Sequence, residues 1–302
     1  MPIQLNENEF LKYQYYPDYL MKSNNPEDAE TRTECTNVLR GMGISCRSTN
    51  LIIDGGNMVP CGPYIVITDK VFTENGKEKE DAVFKAELES ELGHPVIIIP
   101  WKMHGDFNAR DTDKYGHSDG FIKWCGGNRI LMGNHGDQYP EEAAAIRHIL
   151  EEYGFEVTEM RFADKVGSPR ADLNWAYINF LQVGNKIIMP IFNIKEDVIA
   201  WQYIHEAFPD CEIYQIGDGR SSRGSWCLTL YQLEYLKEIN WVFPDTQIFN
   251  LFMLIRCYLI LNRVVYHMMK CFLCLSYESR MFHERKTYVS QGGNIRFPYG
   301  KH

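Results

Sequence analysis

Three stretches of the chain repeat one order of apolar and polar positions. Each has a short apolar run, a turn with glycine, a second apolar run, a charged amphipathic segment and a third apolar run. This order predicts strand, turn, strand, helix and strand in every copy. When the second runs at 64–67, 129–132 and 186–189 are aligned, the copies lie 65 and 57 residues apart. Repetition at this length indicates one supersecondary module repeated around an axis or along a solenoid.

The amphipathic segments predict the helices of the three copies, at residues 77–92, 140–153 and 196–208. Ahead of the first copy, the alternation over residues 10–13 predicts a strand. Residues 26–39 predict a further helix, with Asn25 as its N-cap and Pro26 at its first position. The whole pattern predicts an α/β protein.

Polar residues stand at the start of the first strand in each copy. If residues 116–124 form a strand, His117 and Asp119 share a face, because alternate residues of a strand point the same way. The 65-residue offset places Asp54 on Asp119, and the third copy brings Asn179 to the same region. Modules arranged around an axis would bring these side chains to one central pocket, where histidine and carboxylates position and protonate a polar substrate. The alternative for a single His-x-Asp sequence is a solvated pair at the entrance of a strand.

Length, charge and cysteine usage narrow the class of protein. With 302 residues, 45% of them hydrophobic, the chain can form one large core or two domains. Its net charge of −9 argues against a nucleic-acid partner. The nine cysteines follow neither a disulfide framework nor zinc-ligand spacing, and the N-terminus lacks the pattern of a signal peptide. We therefore expect a cytoplasmic protein without a metal.

The three motifs are specific when they occur in order on the repeat. They are DGGN at 54–57, GHSD at 116–119 and YINF at 177–180. Together with the ββαβ module, they resemble the agmatine deiminase and Porphyromonas-type peptidylarginine deiminase family of the guanidine-modifying pentein superfamily. The resemblance covers residues 1–224, which would form the deiminase domain. It implies an α/β propeller of repeated modules around a central pocket, here incomplete.

The resemblance also implies a reaction and a role for each motif residue. In the family a cysteine thiolate attacks the guanidinium carbon, ammonia leaves, and water resolves the thiouronium intermediate to a ureido product. By motif match, Asp54 and Asp119 would bind the guanidinium nitrogens and His117 would be the general acid and base. Asn179 would be a weaker substrate contact. The implied partner is a small guanidinium substrate, agmatine or arginine, with no cofactor; whether the chain forms a homodimer stays open.

The first departure from the family lies at the N-terminus. The family carries an Arg-Asp motif, an aromatic residue and a proline before the segment with which this chain opens. Met1-Pro2-Ile3-Gln4 looks like the inside of that motif. We therefore expect the chain to begin within the first module.

The second departure concerns the nucleophile. The family ends with a glycine-rich turn, a His-Cys pair and a short strand, whereas here Ser225 is followed by Trp226 and Cys227. Degenerate codons allow a one-base insertion at Ser225, and the shifted frame can then spell His-Cys and a stop. Residues 225–302 would in that case be an out-of-frame tail. Cys227 lies three residues before the position of the motif cysteine, and an odd shift turns a strand residue to the other face. We therefore do not expect Cys227 to serve as nucleophile, although it is the cysteine nearest to that position.

Three functions remain to be separated. The first is hydrolytic deimination, and the second is a non-catalytic remnant that keeps the guanidinium site. The third is attachment to a membrane through the apolar residues 249–275, which Arg256, Arg263 and Lys270 interrupt, so we expect no membrane partner. Tests for ammonia release and for membrane association discriminate among them.

Overall fold

A computed structural model describes residues 2–6, 9–23, 27–30, 36–41, 43–107, 113–166 and 176–216. Four three-stranded sheets follow one another along this part of the chain. In every sheet the first strand is antiparallel to the second, and the second is parallel to the third. The predicted ββαβ repeat is therefore confirmed in its connectivity.

The strands, three to a sheet in chain order, are β1 (Ile3–Gln4), β2 (Phe10–Gln14), β3 (Cys46–Ile52), β4 (Val59–Cys61), β5 (Tyr64–Thr68), β6 (Val96–Ile99), β7 (Ile122–Trp124), β8 (Arg129–Met132), β9 (Glu156–Glu159), β10 (Leu181–Val183), β11 (Lys186–Pro190) and β12 (Glu212–Ile216). The helices are α1 (Asp18–Met21), α2 (Glu27–Glu30), α3 (Thr36–Gly41), α4 (Lys70–Glu74), α5 (Ala82–Leu92), α6 (Pro140–Glu152), α7 (Ala163–Val166) and α8 (Lys195–Ala207). All except α7, which links two modules, lie between the second and third strands of a sheet.

The first sheet is a further copy of the module that the repeat analysis missed. Its first strand, β1, is only two residues long, and its helices, of four to six residues, are all shorter than the main helix of each later copy. The predicted helix at 26–39 corresponds to α2 and α3, while residues 31–35 between them lie outside the described residues. The sequence signal was weak here because neither the strand nor the helices are long enough to show a period.

Of the three helices predicted from the repeat, only the first differs from its prediction by more than one residue. The helix expected at 77–92 begins at Ala82, because the Asp81 carboxylate accepts hydrogen bonds from the backbone N–H groups of Val83 and Phe84. Helix α6 matches its prediction within one residue. It has Pro140 in its first turn and buries Ala143, Ile146 and Leu150 along one face.

The sequences of the central strands β5 and β8 are apolar without alternation because the two faces of each strand lie in different cores. Ile65 and Ile67 of β5 lie in the core shared with the first sheet, whereas Val66 between them lies in the core shared with the third. In β8, Met132 faces the second core and Leu131 faces a third core, which is shared with the fourth sheet. Strands β5 and β8 are thus buried on both faces, and successive modules pack side by side as the blades of a propeller do.

The predictions for the C-terminal part of the chain concern residues that the structure does not describe. The proposed boundary at residue 224, the out-of-frame tail at 225–302 and the apolar segment at 249–275 all lie outside the described residues. Among the helices that are described, none is both long and apolar enough to span a bilayer.

Candidate active site

Asp54 and His117 occupy equivalent places in neighbouring modules. Asp54 follows β3 and caps a short 3₁₀ turn at Gly55–Asn57, where its carboxylate accepts a hydrogen bond of 3.2 Å from the Gly56 N–H. His117 precedes the corresponding turn at Ser118–Gly120, immediately before β7. The two turns lie against each other, which brings the residues around them together.

The predicted strand at 116–124 is wrong at its start. Gly116 has φ +61°, Ser118–Gly120 form the 3₁₀ turn, and the strand begins only at Ile122. The Ser118 N–H, which a neighbouring strand would otherwise pair, donates instead to the Asn57 side chain at 3.2 Å. His117 and Asp119 therefore come together through a turn and not through the alternation of a strand.

The predicted equivalence of Asp54 and Asp119 is also wrong. The two 3₁₀ turns start at residues 55 and 118, so Asp54 matches His117, and Asp119 matches Gly56. The hairpin of the second copy closes through Gly126–Asn128, which is longer than the two-residue loop after Cys61. An alignment made on the second strands therefore does not carry over to the first strands.

The structure nevertheless brings the three predicted residues into one cluster. His117 Nε2 lies 3.1 Å from Asp54 Oδ2, and His117 Nδ1 lies 3.9 Å from Asp119 Oδ1. The side chains of Asp54, His117 and Asp119 are 11%, 16% and 2% exposed. An imidazole thus stands between two buried carboxylates that come from two modules.

The Asp54 carboxylate is held in its charged form. Burial alone would raise its pKa, but the charge of His117 and hydrogen bonds from Tyr19 and the Gly56 N–H outweigh burial and hold the pKa well below its ordinary range. The Tyr19 hydroxyl donates to Asp54 Oδ2 at 2.5 Å and lies 3.0 Å from the Tyr15 hydroxyl. Sequence reasoning missed both tyrosines, which belong to the module that carried no repeat signal.

The pKa values of His117 and Asp119 both lie above neutral pH. Burial lowers the pKa of His117, but the charge of Asp54 and the contact with it dominate and raise the pKa to about 9. Burial raises the pKa of Asp119 to about 8, and the charge of His117 offsets this only in part. Asp119 Oδ2 is buried and accepts no hydrogen bond from the described residues. At pH 7 the cluster therefore holds a protonated histidine beside one charged and one largely neutral carboxyl group.

The close approach of His117 requires a glycine at position 56. A Cβ there would lie 2.3 Å from His117 Nδ1, closer than non-bonded atoms come. We expect Gly56→Ala to push the imidazole away from Asp54 and to destabilise the protein by about 2 kcal/mol, the usual scale of overpacking. Urea unfolding measures this loss. Gly41→Ala is the control, since a Cβ at Gly41 meets nothing within 4 Å; equal stability of both variants would contradict the prediction.

The structure assigns Asn179 to a different module from this cluster. Strand pairing gives Asn179 the same place before β10 that Asn57 has before β4, because Leu181 pairs with Ile188 as Val59 pairs with Val66. Asn57 is structural: its side-chain oxygen accepts from the N–H groups of Thr68 and Ser118. Asn179 is 6% exposed. Its proposed substrate contact stays a prediction.

Two other histidines share one carboxylate, and Cys125 packs in a hydrophobic core. His104 and His135 both approach Glu142 Oε2, at 2.9 and 3.4 Å. Sequence could not show this pairing, since His104 and Glu142 are 38 residues apart. Cys125 packs against the third core, and burial raises the pKa of its thiol to about 11, which disfavours a thiolate. Cys227 lies outside the described residues.

Comparison with solved structures shows which fold the chain adopts. The chain is similar to the agmatine deiminase of Campylobacter jejuni, with a TM-score of 0.53, 17% identity and coverage of 69% of this chain and 62% of that one. It is also similar to the agmatine deiminase of Enterococcus faecalis, with a TM-score of 0.51, 15% identity and coverage of 69% and 64%. The fold is therefore the α/β propeller of the pentein deiminases, as the repeat and the motifs predicted.

Sequence comparison then gives the family. The profile of the Porphyromonas-type peptidyl-arginine deiminases matches residues 4–221, and the chain belongs to this family. Relatives from two strains of Shewanella baltica, named as agmatine deiminases, are 25% and 24% identical over 204 residues, which cover 58% of this chain and 54% of theirs. The chain thus spans about half the length of the curated relatives it matches.

Proposed function

We propose that the cluster of Asp54, His117 and Asp119 binds the guanidinium group of a small substrate, and that the reaction suited to it is hydrolytic deimination. The observation that carries this proposal is the placement of His117 between two buried carboxylates, one of which has an oxygen without a hydrogen-bond partner among the described residues. A guanidinium is planar, permanently charged and rich in N–H donors, so carboxylates in its plane are its natural partners.

Each member of the cluster has a distinct part in the proposed reaction. Asp54 and Asp119 accept guanidinium N–H groups, and entry of the cation favours the charged form of Asp119. A cysteine thiolate adds to the guanidinium carbon, and His117 gives its proton to the nitrogen that leaves as ammonia. Water, deprotonated by His117, then adds to the thiouronium carbon. The C–S bond then breaks while the remaining hydroxyl proton passes to solvent, where it can protonate the released ammonia. This releases the neutral ureido product and restores the thiolate and the protonated His117.

The order in which substrates should be tested follows from the names of the relatives. Agmatine is the first compound to test because it is the substrate in the names of the relatives and similar structures, and free or peptide-bound arginine is the second. Action in the cytoplasm and a role in putrescine biosynthesis are parts of the same proposal.

The second candidate is guanidinium binding without turnover. The described contacts of Asp54, His117 and Asp119 include no cysteine side chain. The two carboxylates and the imidazole are present independently of any thiol, so recognition does not depend on the nucleophile. Release of ammonia separates the two functions.

Binding of agmatine should depend on pH through Asp119. Since burial raises the pKa of Asp119 to about 8, a cation that needs the carboxylate must displace a proton. The affinity should therefore rise by up to about tenfold per pH unit between pH 6 and 8. Calorimetry in two buffers of different ionisation enthalpy measures both the affinity and the released proton.

Asp119→Asn should bind agmatine more weakly and without this pH slope. Asp210→Asn is the control, because Asp210 is an exposed carboxylate at the end of α8. If agmatine and arginine both fail to bind the unaltered folded chain between pH 6 and 8, the proposed function is wrong.

A further inference from the structure

Lys70 is a buried lysine at the meeting point of three modules. It is the first residue of α4, and its side chain is 2% exposed. Its ammonium lies 2.8 Å from Asp18 of the first module and 3.5 Å from Glu74 of its own helix. It also lies over the rings of Tyr19 and Trp101, at 5.3 and 5.2 Å. A lysine buried this completely needs a reason, because desolvation of its charge is costly.

The ammonium holds the backbone that leads into His117. Lys70 Nζ donates to the carbonyl oxygens of Lys114 and Tyr115, both at 2.8 Å. The next carbonyl, of Gly116, accepts from the Thr68 hydroxyl at 2.6 Å. Three successive carbonyls before His117 are therefore fixed by two residues of the preceding module.

The fit around Gly116 shows how closely this segment is packed on Lys70. Gly116 has φ +61°, and a Cβ there would lie 2.7 Å from Lys70 Cδ and 2.8 Å from the Trp101 ring. On the other side of His117, Asn57 accepts from the Ser118 N–H. The backbone on both sides of His117 is thus tied to the second module, which also contributes Asp54 at its entrance.

Lys70 acts on Asp54 through its second partner. Asp18 is followed by Tyr19, whose hydroxyl donates to Asp54 Oδ2. The buried oxygens Asp18 Oδ1 and Glu74 Oε1 accept no hydrogen bond from the described residues, so the charge of Lys70 is what compensates them. Loss of Lys70 would remove the cation beside Glu74 and leave Asp18 with only the longer contact between its other oxygen and Lys22 Nζ, at 3.5 Å.

We infer that Lys70 is a positioning residue, which sets the distance between His117 and Asp54 by holding the carbonyls of Lys114 and Tyr115 on one side and Asp18 on the other. Its ammonium is occupied by these groups, so it does not turn towards a substrate. The importance of this role for guanidinium recognition rests on the proposed function, but the effect on the Asp54–His117 pair does not.

The test replaces the buried ion pair without changing the net charge. In Lys70→Met with Glu74→Gln one positive and one negative charge are lost together. Loss of the Lys70 charge by itself would raise the pKa of His117 and loss of Glu74 would offset this, so a large fall in that pKa reports a displaced imidazole. The charged and titratable groups that face His117 are Asp54, Asp119, Tyr19, Tyr115, Lys70 and Glu74. The matched control is Lys85→Met with Glu89→Gln, which removes a surface pair of the same i,i+4 spacing on α5.

The readout is the titration of the His117 imidazole by NMR, with its signal assigned by its loss in His117→Gln. We expect the pKa of His117 to fall from about 9 towards its ordinary value near 6.5 in the Lys70 variant and to stay in place in the control. Agmatine affinity should fall by about tenfold or more, as expected when a binding group is misplaced. A folded Lys70 variant in which His117 titrates as in the parent would overturn the inference.

Misfolding of the double variant and absence of agmatine binding each have a defined consequence for the inference. If the double variant does not unfold cooperatively, the triple variant Lys70→Met, Glu74→Met and Asp18→Asn is measured in its place, because it leaves no buried charge unpaired. Failure of the triple variant to fold would make Lys70 a requirement for folding and overturn its role in positioning. If no chain binds agmatine but the pKa of His117 still falls in the Lys70 variant, the proposed function fails and the inference stands.

Discussion

Asp54→Asn should weaken agmatine binding by more than about a hundredfold and lower the pKa of His117 from about 9 to below 6.5. The variant keeps the shape of the side chain and removes the charge that faces both the imidazole and the incoming guanidinium. Burial then becomes the dominant influence on His117 and favours its neutral form. Calorimetry with agmatine and NMR titration of His117 measure the two effects.

The same substitution should destabilise the protein in a pH-dependent way. The pKa of His117 is raised on folding, so its pairing with Asp54 stabilises the native state fully below pH 6.5, and this contribution is lost as the pH rises through 9. Asp54→Asn should therefore cost about 3 kcal/mol at pH 6 and much less at pH 9.5. Urea unfolding at the two pH values gives the difference.

Asp137→Asn provides the matched control for a buried carboxylate. The Asp137 side chain is 0% exposed and accepts from Arg161 and from two backbone N–H groups, of Phe162 and Ala163. Its loss should reduce stability but leave agmatine binding and the titration of His117 unchanged. If His117 in Asp54→Asn keeps a pKa near 9, the ion pair seen in the structure does not govern the site.

The members of the cluster, Asp54, His117 and Asp119, could be picked out from the sequence because charged residue types are unusual beside apolar strand segments. Aspartate and histidine are seldom fully buried, and the recurrence of polar residues at the start of each copy, with Asp54, His117 and Asp119 among them, indicates that these side chains meet. Long apolar runs such as β5 and β8 likewise reveal the central strands, since both their faces are buried.

The geometry of the cluster could not be predicted from periodicity. The pattern around Gly116 fits a strand, but the Asn57 side chain takes the Ser118 N–H and a 3₁₀ turn forms. That hydrogen bond joins residues 61 positions apart, so nothing local signals it. The same holds for Tyr19 and Lys70, which reach the site from modules whose own sequences show no link to His117.

The largest expected difference in activity, measured as ammonia release from agmatine, lies between this chain and a chain in the alternative reading frame after Ser225. We expect the 302-residue chain to release no ammonia from agmatine and to be poorly soluble. If Ser225 does carry the proposed extra base, a chain without it would place a His-Cys pair where Thr229 and Leu230 now stand, and would end soon after. That chain should turn over agmatine at about 1 s⁻¹ or faster, the ordinary range of enzymes. The physical reason is that a guanidinium carbon is a poor electrophile and needs a thiolate as well as the acid His117.

The first measurement is the nucleotide sequence across the codons for Arg223 to Lys237, followed by ammonia assays of both chains. In the restored chain, replacing the new cysteine by serine should abolish turnover and leave agmatine binding intact, because the two aspartates bind the guanidinium without it. In the 302-residue chain, Cys227→Ala should change nothing. Ammonia release by the 302-residue chain that Cys227→Ala abolishes would make Cys227 the nucleophile and residues 225–302 genuine protein. The odd three-residue shift that sets Cys227 apart from the motif position would then have to be absorbed by a bulge, as β-sheets do when one strand carries an extra residue.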